Sequence, residues 1–347
     1  MEKKKTAAPK ISIIILNWNL YKESIECLET LLKNDYPNFE VLLIDNGSSN
    51  ESVTELEKWF STQKKLHVLN VASSELKSKT FWTKKKKFNE VKSSSKILFV
   101  RHDKNEGFGA GCNVLLDIVT TENLSDYVLF LNNDLIVKAD FLSELLATAK
   151  RHKGAGIISS KIYYYDVKGR KDILWYAGGF KTFSKLWCAG PPFGMNKEDA
   201  PEFNEEQELE LAVGTSMLLD CKLLKEYGGK YDEGYFIYNE ESDLCLFAKE
   251  KGYSIWYSPK SVVWHKVHQS SGGKISPIVT YYLTRNQLLM AKKYNGTLKT
   301  LLLFTRMATY SHTIKAAKFA KAKKLPLMKY YYRALWDGLR GKKFKGH

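Results

Sequence analysis

The run YVLFLNNDLIV, residues 127–137, reads as a buried strand interrupted by Asn132, Asn133 and Asp134. A carboxylate at the end of an apolar strand is a hard oxygen ligand suited to Mg2+ or Mn2+, cations that also take oxygens from phosphates. Alone, the same three residues make an ordinary turn, because Asn and Asp favour such positions. A second segment, NEGFGAGCN at 105–113, sets Gly107, Gly109 and Gly111 just before a helix start. Glycine lets backbone approach a ligand closely, and the N–H groups of a helix N-terminus favour anions. A third, YFIYNEESDLCLFAKEKGY at 235–253, puts Tyr235, Phe236 and Tyr238 ahead of Glu240, Glu241 and Asp243. Aromatic faces suit a sugar or another flat-faced substrate, and a carboxylate beside a hydroxyl can act as general base, worth about 10²–10⁴ in rate. The structural alternative makes Asn239 the N-cap of a helix whose first-turn acids suit its dipole. A fourth segment, VVWHKVHQSSGG, brings His265 and His268 after an apolar strand, and neutral imidazole is a metal ligand.

These residues need a scaffold that brings distant segments together. From residue 11 the chain alternates β-branched runs with helical patterns: ISIIIL, a helix at 21–34, VLLI, a helix at 51–60, then ILFV, a helix near 110–121, YVLFL and a helix near 139–150. That rhythm predicts an α/β fold, a mostly parallel central sheet flanked by helices, with ligands at the carboxyl ends of the strands. Asn17 and Asn19, Asp45 and Asn46, Asn105 and Gly107, and Asn132 and Asp134 follow four successive strands. Four such ends favour a site over four unrelated turns. The glycine run also resembles a dinucleotide-binding turn, but such a turn belongs to the first strand–helix unit, and here two units precede it. Residues 155–275 read as mixed α/β with a helix at about 240–250. From 277 the pattern turns helical, at 277–294, 298–322 and 327–339, broken by Gly296 and Pro326. The Lys- and Ser-rich stretch 73–96 reads as an exposed loop insertion.

The chain has 347 residues and 44% hydrophobic content, enough for a sizeable core. Its five cysteines form no C-x-x-C pair, which argues for a reducing compartment and against a zinc site or disulfide framework. The N-terminal MEKKKTAAPK followed by a short apolar run is neither a signal peptide nor a spanning helix, so the cytoplasm is the expected location. The net charge of +16 is local: residues 77–96 hold eight Lys against Glu90, and 301–347 hold twelve Lys or Arg against Asp337. The remainder is near neutral, which is no field for a polyanion groove, and no nucleic-acid partner is expected.

Taken together, IIILNWN, LLIDNGSSNES, NEGFGAGCN, LFLNND, AVGTSMLLD, FIYNEESDLCLFA and VVWHKVHQSSG resemble, in order and spacing, the family 2 glycosyltransferases of GT-A fold, particularly the rhamnosyltransferase-like branch. YYLTRNQLLM and WDGLRGKKFKG are similar to that branch as well. The resemblance implies a tail at 1–10, a GT-A catalytic domain at 11–276 and a basic helical C-terminal region at 277–347. Within the domain, 11–150 is the nucleotide-sugar half and 151–276 the acceptor half. The implied reaction is an inverting, metal-dependent transfer of a sugar from a nucleoside diphosphate to an acceptor hydroxyl. On that mapping Asp45 contacts base and ribose, while Asn17, Asn19, Asn105, Gly107, Asn113, Asn132 and Asn133 lie on the donor side. Asp134 and His265 hold the divalent cation, Mn2+ or Mg2+. Glu241 is the catalytic base, with Glu240 beside it. Gly214, Thr215, Tyr235, Phe236, Tyr238 and Asp243 form the acceptor side. Three positions depart from the usual pattern: Asn132 and Asn50 stand where Asp is frequent, and Glu241 where Asp is usual. Acceptors in this branch are often lipid-linked glycans. The basic segments 77–96 and 301–347 are therefore expected to meet an anionic membrane surface, each charge adding about 1 kcal/mol. The competing classes are a non-catalytic membrane or nucleic-acid adaptor and a nucleotidyltransferase on a similar sheet. The first predicts no nucleoside diphosphate release, and the second predicts pyrophosphate.

Overall fold

The computed structural model describes residues 8–91, 95–179, 192–267 and 276–345. The first half runs β1 (Ile11–Asn17), α1 (Tyr21–Leu31), β2 (Phe39–Asn46), α2 (Ser52–Thr62), β3 (His67–Ala72), α3 (Lys79–Glu90), β4 (Lys96–His102), α4 (Phe108–Glu122), β5 (Tyr127–Leu131), β6 (Leu135–Val137) and α5 (Phe141–Arg151). The second half adds β7 (Ala155–Tyr164), β8 (Leu174–Tyr176), β9 (Gln207–Glu208), β10 (Ser216–Asp220), α6 (Cys221–Glu226), α7 (Glu240–Glu250) and β11 (Ser254–His265). Three helices follow: α8 (Pro277–Arg306), α9 (His312–Lys321) and α10 (Met328–Arg340).

One sheet crosses the molecule in the order β3-β4-β2-β1-β5-β10-β7-β11-β6. The five strands on the β3 side are parallel. β2 is buried at every position and β1 at all but one, the pattern of strands covered on both faces. Beyond β5 the sheet is mixed, because β10 runs antiparallel to both β5 and β7 and β6 runs antiparallel to β11. Register then decides what meets. Asn17 pairs with Asp45, Asn46 with His102, and His265 with Leu135.

The stretch 73–96 is not the exposed loop that its composition suggests. After the edge strand β3, residues 79–90 form a helix capped by Ser78, whose Oγ accepts from Phe81 N at 3.0 Å. Phe81, Lys85 and Phe88 recur at helical spacing and are buried against the sheet. Lys85, one of four consecutive lysines, is fully buried, with Nζ 3.1 Å from Glu40 and 3.2 Å from Glu122. Burial by itself would raise the Glu40 carboxyl. The cations of Lys85 and of Lys10, 2.7 Å away, outweigh it and bring Glu40 down to about 2. The lysine run hid both the helix and its one interior cation.

Ser276 caps α8, its Oγ accepting from Val279 N, and Pro277 occupies the first turn. Gly296, at φ 74° and ψ −180°, is non-helical, so α8 is two helical segments joined at a kink there, in line with the break read at Gly296. The C-terminal helices form their own core around Leu288, Met307, Phe319 and Tyr331. Tyr331 Oη donates to Met307 O and Tyr281 Oη to Asp337, both at 2.6 Å. Among the described residues no helix is long and apolar enough to cross a membrane.

Candidate active site

At the ends of β1 and β2, Asp45 is buried and its carboxylate is held on both oxygens. Oδ1 accepts from Asn17 Nδ2 (2.7 Å) and Ser48 Oγ (2.6 Å), and Oδ2 accepts from Ser48 N (3.0 Å). Asn19, left-handed at φ 60°, ties the two loops together: its N donates to Ser48 Oγ and its Oδ1 accepts from Ser49 N, both at 2.8 Å. Asn46 reaches the third strand end, donating to Gly107 O (3.1 Å) and Asn105 Oδ1 (3.3 Å). Asn105 Oδ1 also accepts from Gly107 N at 3.0 Å. Asn113 differs from the donor-side expectation. Its amide donates to Tyr231 O and Glu233 (3.0 Å each) and accepts from Tyr231 N (2.8 Å), so it bolts α4 to the second half of the chain.

The 132–134 turn is built from three sides. Asn132 N donates to Thr215 O at 3.0 Å, which locks the turn to the segment before β10. Asn133 is buried and donates to Ser24 Oγ at 2.9 Å, so it anchors the turn to α1. Asn132 keeps a partly exposed side chain. Asp134 Oδ1 lies 3.2 Å from His265 Nε2, both residues nearly buried, and Lys266 N donates to Asp134 O at 3.0 Å. The edge of Trp175 meets the His265 ring at 5.1 Å. His265 Nδ1 is buried without a hydrogen-bond partner among the described residues. A carboxylate oxygen and an imidazole nitrogen converging on one point suit Mn2+ or Mg2+, with remaining positions open to phosphate oxygens. Among the described residues no cluster of three His, Cys, Asp or Glu side chains could hold a metal ion. His268 lies outside the described residues.

The carboxylate pair heads α7. Glu240 is buried, with Oε1 lacking a hydrogen-bond partner among the described residues, and a Cβ on Gly109 would stand 3.4 Å from its Cγ. Glu241 packs against Gly214, where a Cβ would stand 3.3 Å from its own Cβ. The pair therefore touches the glycine turn on one side and the segment before β10 on the other. Burial pushes the Glu240 carboxyl up, and the neighbouring Glu241 adds to it; burial likewise raises Glu241. Asn239 occupies the cap position but in a left-handed conformation at φ 77°, and its side chain makes no cap bond.

The residues before the pair take an unusual path. Phe236, Tyr238 and Asn239 all have positive φ, at 66°, 68° and 77°. Such conformations in non-glycine residues cost about 1–3 kcal/mol each and need support from their surroundings. Phe236 O accepts from Phe108 N at 2.7 Å, joining this loop to the first turn of α4. Only glycine fits at 107: its φ is 107°, and a Cβ there would lie 2.4 Å from Phe236 O. The Phe236 ring stacks on Tyr282 at 5.0 Å. Tyr235 and Asp243, expected to face the acceptor, instead lie behind the loop. Tyr235 is buried, and Asp243 is enclosed by Tyr227, by Tyr294 Oη at 2.7 Å and by Lys293 Nζ at 2.6 Å. Tyr235 ends a short helical turn at 233–235, and Asp243 sits on the buried face of α7.

Sequence reasoning missed Ser24 and Ser48, which hold the strand ends, and Arg285 and Asn286 on α8. The signal for the last two was a charged–amide dipeptide inside the mostly apolar YYLTRNQLLM.

Residues 12–79 and 84–228 match the family described as Glycosyl transferase family 2. The chain is 25% identical over 192 residues to the rhamnosyltransferase WbbL of Escherichia coli (strain K12), covering 54% of this chain and 71% of that one. It is 21% identical over 274 residues to an uncharacterized protein of Sinorhizobium fredii, of whose length the match covers 26%. The mannosyltransferase PcManGT from Pyrobaculum calidifontis, solved in complex with GDP-Man and Mn2+, has a TM-score of 0.55 at 13% identity, covering 97% of this chain and 89% of that one. That last likeness concerns the fold, a mixed α/β sheet with flanking helices. With the family match spanning more than half of its residues, the chain belongs to glycosyl transferase family 2 and is a glycosyltransferase of GT-A fold.

Proposed function

We propose that the chain transfers a sugar from a nucleoside diphosphate to an acceptor hydroxyl by a single, inverting displacement. The observation that carries this reading is the placement of Glu240 and Glu241 between the glycine turn at Gly109 and the segment at Gly214. One carboxylate pair thus touches both the anion-favouring start of α4 and the segment before β10. Asp45, Asn17, Asn19 and Asn105 would line the donor side. Glu241 takes the proton of the acceptor hydroxyl as its oxygen bonds to the anomeric carbon. The bond from that carbon to the diphosphate breaks, and its electron pair leaves with the diphosphate. Burial suits Glu241 to the task, because a raised carboxyl is a stronger base near neutral pH. Asp134 and His265 would hold a divalent cation, which when bound supplies several kcal/mol of charge stabilisation to the leaving diphosphate. The Mn2+ and GDP-Man named for PcManGT support that part of the reading.

The acceptor is proposed to be a lipid-linked or cell-surface glycan, met at the inner face of the cytoplasmic membrane. Leu298, Leu302, Tyr310, Ile314 and Trp336 are exposed among the basic residues of the C-terminal helices, the composition of an interfacial surface. The test is a panel of nucleotide sugars with Mn2+, scored for nucleoside diphosphate release. Release with at least one donor, lost in Glu241→Gln and in Asp134→Ala, supports the transfer. No diphosphate release from any nucleotide sugar, with pyrophosphate released from a nucleoside triphosphate and a sugar 1-phosphate, would make the chain a nucleotidyltransferase.

A further inference from the structure

Arg285 and Asn286 stand side by side on α8, both fully buried. No step of the transfer above uses them. Apart from one bond between the two side chains, the hydrogen bonds they donate among the described residues go to backbone carbonyls. Arg285 Nη2 donates to Gly234 O (3.1 Å) and Tyr235 O (2.6 Å), and Nη1 donates to Phe344 O (2.5 Å). Asn286 Nδ2 lies within hydrogen-bond distance of Tyr235 O (3.2 Å), Ile237 O (2.9 Å) and Tyr238 O (2.8 Å). Arg285 Nε donates in turn to Asn286 Oδ1 at 2.9 Å, which fixes the amide's orientation. The guanidinium lies 4.8 Å from the Tyr282 ring, and that ring stacks on Phe236.

Every carbonyl gripped this way belongs to the loop that ends at Glu240 or to the chain's final turn. The loop holds three left-handed non-glycine residues, a path that does not persist without outside support. We propose that Arg285 and Asn286 are positioning residues for the Glu240–Glu241 pair, clamping the carbonyls of 234–238 so that the strained turn delivers both carboxyl groups to the cleft. This rests on the reading of Glu241 as base. It also gives the C-terminal helices a role in the chemistry, since α10 covers the clamp: a Cβ on Gly338 would meet Arg285 O at 3.0 Å. The charged and titratable groups around Glu240 are Glu241, Asp243, Arg285, Cys112 and Tyr231, and Arg285 is the cation among them, opposing the upward push of burial.

Two measurements on the full chain test the clamp without turnover. In Asn286→Ala, amide exchange at 107–109 and 236–242 should rise about tenfold or more, while β1 and β5 exchange as in the parent. In a carboxyl NMR titration of labelled glutamates, Arg285→Met should move the Glu240 titration to higher pH, because the cation that opposes the push of burial is lost. Arg285→Lys should restore much of the original position. Unchanged loop exchange in a folded Asn286→Ala overturns the proposal, as does exchange that rises equally across the sheet. A titration that Arg285→Met leaves in place does the same. If Arg285→Met does not fold, Asn286→Ala and Arg285→Lys decide, the latter through loop exchange that stays near the parent's. A Glu241→Gln variant that still transfers sugar defeats the base reading and leaves these readouts standing.

Discussion

Glu241, as the proposed base, carries the most direct prediction. Glu241→Gln should lower transfer by about 10²–10⁴ while the affinity for UDP or GDP with Mn2+ stays within about twofold. Isothermal titration beside a steady-state assay separates the two effects. If nucleotide affinity fell instead, Glu241 would belong to the donor site. The pH dependence follows from burial. The base must be ionised, and burial raises both carboxyls, so activity should rise with pH along a limb lying above the ordinary glutamate value of about 4.3. Activity already at its plateau at pH 5 would contradict this. The linked stability effect has the opposite sign. A carboxyl raised in the folded state binds more protons there than when unfolded, so stability falls as pH rises through that range and the loss is complete above it. Glu240→Gln should therefore raise the melting temperature at pH 8 and change it little at pH 4, as calorimetry would show. Of the candidate residues, Asp134 and His265 were legible as types placed after strands. Asn113, Tyr235 and Asp243 were not, since a polar or aromatic letter does not reveal which side of a loop it faces.

Among the elements, α3 shows how a charge run conceals structure. Four consecutive lysines suggest a solvated surface, yet the helical period puts Lys85 on the buried face with Phe81 and Phe88. Removing one partner of a buried ion pair leaves an uncompensated charge, so Lys85→Met should destabilise the fold by about 3–5 kcal/mol. Lys86→Ala, on the exposed face, should stay within about 0.5 kcal/mol in the same urea titration. Equal effects would mean that the network around Glu40 contributes nothing particular. The glycine turn is the complementary case. Gly107 is needed twice over, for its positive φ and for its contact with Phe236 O. Gly107→Ala should therefore loosen the junction between the α4 start and the α7 loop and weaken nucleotide binding.

For the whole molecule, the basic C-terminal helices have two faces with different work. The inner face meets the loop before Glu240 through Arg285 and Asn286, and the outer face shows Leu302 and Trp336 amid lysine and arginine. Replacing both exposed residues by Asp should reduce cosedimentation with anionic vesicles while leaving the fold intact. Equal sedimentation of the variant would remove the membrane from the picture. The sequence by itself determined the alternation of strands and helices, the polar strand ends, the helix at 240–250 and the family, because each is written in local period and short motifs. Only the tertiary structure decided that Lys85 is interior, that Asp134 meets His265 and that Asn113 is a bolt. It also decided that residues 285–286 reach back some fifty positions to grip 235 and 238. The meeting of Asp134 with His265 depends on strand order and register and the others on how helices pack on sheet and loop, which local sequence patterns do not encode.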